Sequence, residues 1–228
     1  MKKCISTILM LAASGVFFFA NAQSDSSKRY MISQVPQYFL VNGIRVDYDR
    51  RIGNTNQWLV FGPQIYGATK QNRTDFADDL DRYDYYGNNS DYRYDRMFGF
   101  GLDFYHKSFV ENTNLPSGVY VAFGPMAQYF NIDLKKTEFI KGTDGYYDES
   151  VKNVNESILK LGANFIFGLQ DEIVENLIGD IYLGVGYRNS IYLNGNYEDS
   201  KFTNFLGYGY TGVTLVAGFR VGLMFPSN

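Results

Sequence analysis

The stretch TGVTLVAGFRVGLMF, residues 211–225, alternates apolar residues with small or polar ones. Thr211, Val213, Leu215, Ala217, Phe219, Val221, Leu223 and Phe225 share one face. Gly212, Thr214, Val216, Gly218, Arg220, Gly222 and Met224 share the other. A period of two is the signature of a strand with two different faces.

Five further segments carry the same pattern. Outward candidates are Ile44, Val46 and Tyr48 in 44–48; Phe98, Phe100, Leu102 and Phe104 in 98–104; Val119, Val121, Phe123, Ala127 and Tyr129 in 119–129. They continue with Leu159 to Leu169 and Ile181 to Tyr187, where Lys160, Gly162, Asn164, Gly184 and Gly186 fall on the opposite face. With 58–66 these make seven strands. An eighth is expected over Tyr30 to Phe39, turning at Asn42-Gly43, a dipeptide suited to a type I′ hairpin.

The N-terminus sets the compartment. Lys2 and Lys3 precede an apolar run over Ile5–Phe19, and Ala20-Asn21-Ala22 offers a small-residue cleavage site. This is the layout of a secretory signal peptide, so residues 1–22 are expected to be removed and 23–228 to form one domain. Cys4, the only cysteine, lies inside the signal, which excludes disulfides and thiolate chemistry from the mature chain. Loss of 1–22 takes two lysines and no acids, moving the formal charge from −3 to −5 (−3 − 2). That balance speaks against a nucleic-acid partner. Export plus two-faced strands predicts a transmembrane β-barrel in a bacterial outer membrane.

The connections alternate in length. Segments 53–57, 111–118 and 170–179 are short or modest; 69–95, 134–156 and 194–209 are long and polar. Outer-membrane barrels show this alternation of periplasmic turns with extracellular loops. The expected architecture is all-β: an eight-stranded antiparallel up-and-down meander, with ten strands as the lesser alternative.

The run Asn42-Gly43-Ile44-Arg45-Val46-Asp47-Tyr48-Asp49-Arg50-Arg51 and the Gly-rich last strand ending in Phe225 resemble small outer-membrane barrels of the OmpA/OmpX-like group. The chain is most similar to porin-like barrels of Bacteroidetes-type bacteria. Pro226-Ser227-Asn228 after the terminal aromatic depart from the usual ending. The resemblance implies outer-membrane insertion and no agreed biochemical activity.

Side chains fill the lumen of an eight-stranded barrel, so inward polar residues are the candidate site. Parity selects Arg45, Asp47, Asp49, Asp103, Lys160, Asn164, Arg188 and Arg220. Asp47, Asp103, Asn164 and Arg220 are expected at one height, with Arg45, Arg188 and Lys160 above. Buried charges must find partners, so a paired network that fills the lumen is the preferred reading and a charged pathway the alternative.

His106, the only histidine, is the one candidate for acid–base chemistry of the kind lipid-modifying barrels perform. Its parity puts it among lipid-facing residues near the periplasmic end, so no catalytic residue is assigned. The first long loop interleaves Asp78, Asp79 and Asp81 with Tyr83, Tyr85, Tyr86, Tyr92 and Tyr94. It reads as a solvated surface loop with tyrosines available for recognition. It lacks EF-hand spacing, and neither a metal nor a cofactor is assigned.

The sequence thus points to a non-enzymatic envelope or surface-interaction barrel, with a narrow porin as the alternative and a lipid-modifying enzyme third. Its expected partners are outer-membrane lipid, the barrel-assembly machinery during insertion, and an extracellular ligand or protein met by the loops.

Overall fold

The computed structural model describes residues 28–53, 55–69, 90–110, 116–141, 146–194 and 207–226. Their strands are β1 (Lys28–Gln34), β2 (Gly43–Arg51), β3 (Gln57–Thr69), β4 (Ser90–Phe109), β5 (Gly118–Lys141), β6 (Tyr147–Val174), β7 (Leu177–Tyr192) and β8 (Gly212–Pro226). Each pairs antiparallel with the next, and β8 returns to β1, closing an eight-stranded meander. The expected signal peptide lies outside the described residues.

Alternation produces the two faces. On β2 burial switches at every residue from Gly43 to Arg50, with Arg45, Asp47 and Asp49 inside and Ile44, Val46 and Tyr48 outside. The outer face is apolar along its middle: Phe61, Ile65, Phe100, Phe123, Phe167 and Leu183 are all at least half or nearly half exposed. Above this band the exterior of β5 and β6 turns polar. Asn131, Asp133, Asn155 and Ser157 bond one another there, starting one outward position above Tyr129.

Among the described residues the interior holds two large apolar clusters separated by polar residues, and a small third one of Met31, Ile178 and Met224. The upper contains Tyr66, Met97, Phe130, Ile132 and Tyr208; the lower contains Trp58, Val60, Tyr105, Phe109, Tyr120 and Ile166. Glycine makes room where rings cross the lumen. A side chain at Gly168 would overlap the Tyr120 ring, and one at Gly62 would meet Asp47 and Arg45.

Four boundaries differ from the sequence expectation. The first strand does not reach Phe39: it stops at Gln34, and Pro36–Val41 coils into a 3-10 turn. Pro36 has no N–H to give to a ladder and is suited to the start of a helix. Asn42 does adopt a left-handed conformation (φ 55°), but as the cap of this turn rather than in a type I′ hairpin.

The segment 134–156 is not a loop. β5 continues to Lys141 and β6 begins at Tyr147, so Leu134–Lys141 pairs with Tyr147–Val154 as a hairpin beyond the apolar band. Strands that meet water on their exterior need no apolar alternation to form, and cross-strand bonding suffices. The connection at 170–179 is likewise shorter: β6 and β7 meet at Glu175-Asn176, where Asn176 has φ 67° and its N–H donates to Glu172 Oε1 at 2.5 Å. Finally, β4 begins at Ser90, so Tyr92 and Tyr94 belong to a strand rather than to the preceding loop. Asp78, Asp79, Asp81, Tyr83, Tyr85 and Tyr86 lie outside the described residues.

Candidate functional site: the lumen

Two guanidinium groups organise the lower lumen. Arg45 from β2 bonds Asp47 through Nε at 2.5 Å and Asp103 of β4 through Nη1 at 2.5 Å. It also donates to the Tyr38 hydroxyl of the 3-10 turn at 2.9 Å. Arg220 from β8 contacts Asp47 at 3.1 Å, bonds Asp180 of β7, and donates to the Tyr120 hydroxyl at 3.0 Å.

Lys107 of β4 completes the network. Its ammonium reaches Asp180 at 3.1 Å and Gln170 Oε1 at 2.5 Å, and lies 3.6 Å from Asp49. It also sits 4.0 Å above the Tyr120 ring, a cation–π contact. Asp49 is a further 3.8 Å from Arg220. Tyr105 donates to Asp103 at 2.7 Å, and the Asn164 amide donates to Tyr105 at 2.7 Å.

Three cations thus meet four carboxylates in a layer where Asp47, Asp49, Asp180 and Lys107 are each no more than 2% exposed. Each carboxylate lies within 4 Å of a cation, although Asp49 makes no hydrogen bond and stands only 3.6 and 3.8 Å from Lys107 and Arg220; removing a cation leaves its carboxylates buried and uncompensated. Chemically it is a crosslink between β2, β4, β7 and β8 through the lumen.

The upper lumen differs. A cavity of about 370 Å³ runs from the network, where Arg45, Asp47 and Arg220 border it, up to Lys160, Arg188 and Tyr208. Lys160 is 7% exposed and donates to the Gly207 carbonyl at 2.8 Å. Arg188 donates to the carbonyls of Ala163 and Tyr187 at 3.3 and 3.2 Å. Neither meets a carboxylate among the described residues. Tyr208 helps roof the space, donating to the Val41 carbonyl at 3.0 Å.

The eight residues selected by parity therefore separate. Arg45, Asp47, Asp49, Asp103 and Arg220 share the ionic layer, and Asn164 joins it through Tyr105. Lys160 and Arg188 stand apart in the cavity wall. Lys107 and Asp180 were missed, although Lys107 shares parity with Asp103 and Asp180 with Arg188. The aromatic hydroxyls of Tyr38, Tyr105 and Tyr120 were missed too, because tyrosine is equally at home on the outer rim. His106 lies on the outward set of β4, ring to ring with Phe123 at 5.4 Å.

Comparison with protein-family models, curated proteins and solved structures finds no match for the chain.

Proposed function

We propose that the chain is an outer-membrane β-barrel with a closed lumen, of the OmpA/OmpX-like kind, serving a non-enzymatic envelope or surface-interaction role. One observation carries the membrane reading: the height of the apolar band. On β5 its outward residues run from Val119 to Tyr129, and on β6 from Leu169 to Leu159, ten steps in each case (129 − 119; 169 − 159). Ten steps at about 3.4 Å, on strands tilted by roughly 40–45°, span roughly 24–26 Å, the height of an outer-membrane barrel's lipid-facing band. A band of that height around the barrel far exceeds the roughly 300–600 Å² apolar patch usual on a soluble monomer.

The ionic layer supports the closed lumen. A conducting path would have to cross Arg45, Asp47, Lys107, Asp180 and Arg220, which are bonded to one another from opposite walls. Above the band, the β5–β6 hairpin offers a surface for a partner in the medium. Planar-bilayer recording tests the closed reading against the narrow-pore alternative. Silent or brief, small openings are expected, whereas large stable steps from the refolded protein would replace this reading with a pore.

A further inference from the structure

The barrel wall has a gap. β1 ends at Gln34 opposite Val221 of β8, and paired positions from Tyr30↔Phe225 to this point sum to 255. A continued β1 would set Pro36 opposite Phe219 (255 − 36) and Leu40 opposite Leu215 (255 − 40). The 3-10 turn rises only about 2 Å per residue against about 3.3 Å for a strand, so Pro36–Val41 covers roughly three-fifths of the edge a strand would.

From Gly212 to Arg220, β8 consequently has β7 on one side and, among the described residues, no strand on the other. The Gln37 side chain patches one point, accepting from the Phe219 N–H at 3.4 Å, and the Tyr210 hydroxyl patches another at the Val213 carbonyl, 3.1 Å away. Leu215 and Ala217 lie between these patches. At membrane depth, backbone without a strand partner is tolerated where it lines a cavity. Here it does. Leu40, Leu215 and Ala217 border the 370 Å³ cavity, and Leu40 and Leu215 are also 51% and 68% exposed on the barrel exterior. The same residues bound the cavity and the outside, so among the described residues the wall is open between them.

The inner end of this opening is cationic. Lys160 pairs in register with Ser190 and Arg188 with Gly162, which makes the two cations diagonal neighbours on one face of the β6–β7 ladder. Like charges so placed repel unless an anion lies between them. The Thr214 hydroxyl, 6% exposed and without a hydrogen-bond partner, lines the same cavity. Asp47 and Asp103 also border the cavity, but Arg45 and Arg220 engage them.

We propose that this cavity binds a single-chain amphiphile with a carboxylate head, taken laterally from the membrane through the opening between the 3-10 turn and β8. Lys160 and Arg188 hold the head, the guanidinium being well suited to a carboxylate. The chain lies along Leu40, Leu215 and Ala217. The volume falls at the small end of small-molecule sites, which favours one chain over two.

Trp58, the only tryptophan, provides the readout. It packs in one cluster with Val60, Ala122 and Ile166, all of which border the cavity. The proposal rests on the membrane reading, so insertion into phosphatidylcholine nanodiscs is checked first; failure there refutes that reading, not the site. Inserted protein is then titrated with bromine-labelled dodecanoate, its methyl ester, and phosphatidylcholine brominated on its chains. Saturable quenching of Trp58 is expected with the acid, with at least fivefold weaker binding of the ester and no saturable quenching by the phospholipid. The variant Lys160→Met with Arg188→Gln should bind at least tenfold more weakly, and Lys160→Arg should bind like the native chain. Butyrate, which has the head without the chain, should not displace the label. Absence of saturable quenching, equal binding of the ester, undiminished binding by the folded double variant, or displacement by butyrate overturns the proposal.

Discussion

Arg220 and Asp47 are 173 residues apart in sequence and 3.1 Å apart in space. Their bond joins β8 to β2 across the short β1, bracing the barrel where its wall is thinnest. The hydrogen-bonded ladder closes the sheet between β1 and β8; this pair closes it a second time through the lumen.

The brace makes Asp47 costly to remove. Asp47→Ala leaves Arg220 and Arg45 each short of a partner in a layer of buried side chains, so a loss of about 3–5 kcal/mol is expected. Urea unfolding of vesicle-inserted protein, followed through Trp58, measures it. A loss below about 1 kcal/mol would show that water reaches the layer.

Gly168 makes a second prediction. A larger side chain there must displace the Tyr120 ring, whose hydroxyl ties Asp180 to Arg220. Gly168→Leu should destabilise by roughly 1–3 kcal/mol or more. Combined with Tyr120→Ala, its cost should be less than the sum of the two single variants, because the collision is then gone. Strict additivity in the same unfolding assay would place the ring elsewhere.

The β5–β6 hairpin should be dispensable for the barrel. Its ladder lies beyond the apolar band, and among the described residues none of its side chains bonds the ionic layer. Replacing residues 138–150 by a two-residue Asn-Gly turn should leave heat-modifiable gel migration intact and shift the unfolding midpoint little. A chain that no longer folds would make this hairpin part of the barrel's own stability.

On that outer polar surface the Asn155 amide, followed by the Arg96 guanidinium, holds the Asp133 carboxyl below the usual carboxylate range. A lowered carboxylate stabilises the fold above its unfolded pKa of about 3.9, and that contribution fades as pH falls through the lowered value. Solvent screens so exposed a group, and the effect should stay below about 1 kcal/mol. Comparing Asp133→Asn with the native chain should show a small deficit near pH 6 that vanishes near pH 2; a deficit that grows in acid would contradict the sign.

The sequence was most legible where one face meets something apolar. Val213, Leu215 and Phe219 could be assigned outward because their neighbours alternate with them, and the structure exposes all three. Legibility failed where that contrast fades. Leu134–Lys141 reads as loop because its sequence does not alternate apolar with polar residues. Pro36 was visible as an irregularity, but a 3-10 turn there depends on a space beside β8 that only the closed sheet defines. In the lumen, parity identified which side chains point inward, while their partners depend on the stagger between distant strands. Hence Arg45 could not be told from Lys160 and Arg188: all three looked like upper-level cations, yet only Arg45 reaches down to Asp103.

The central claim is that the apolar band from Val119 to Tyr129 lies in lipid. Cys4 is the only cysteine, so a Cys4→Ser background accepts single nitroxide labels at outward positions of β5. In vesicles, labels at 119, 121, 123, 127 and 129 should collide readily with dissolved oxygen and poorly with a water-soluble nickel chelate, and the preference should reverse at 131 and 133. Nickel access throughout 119–129 would contradict the account.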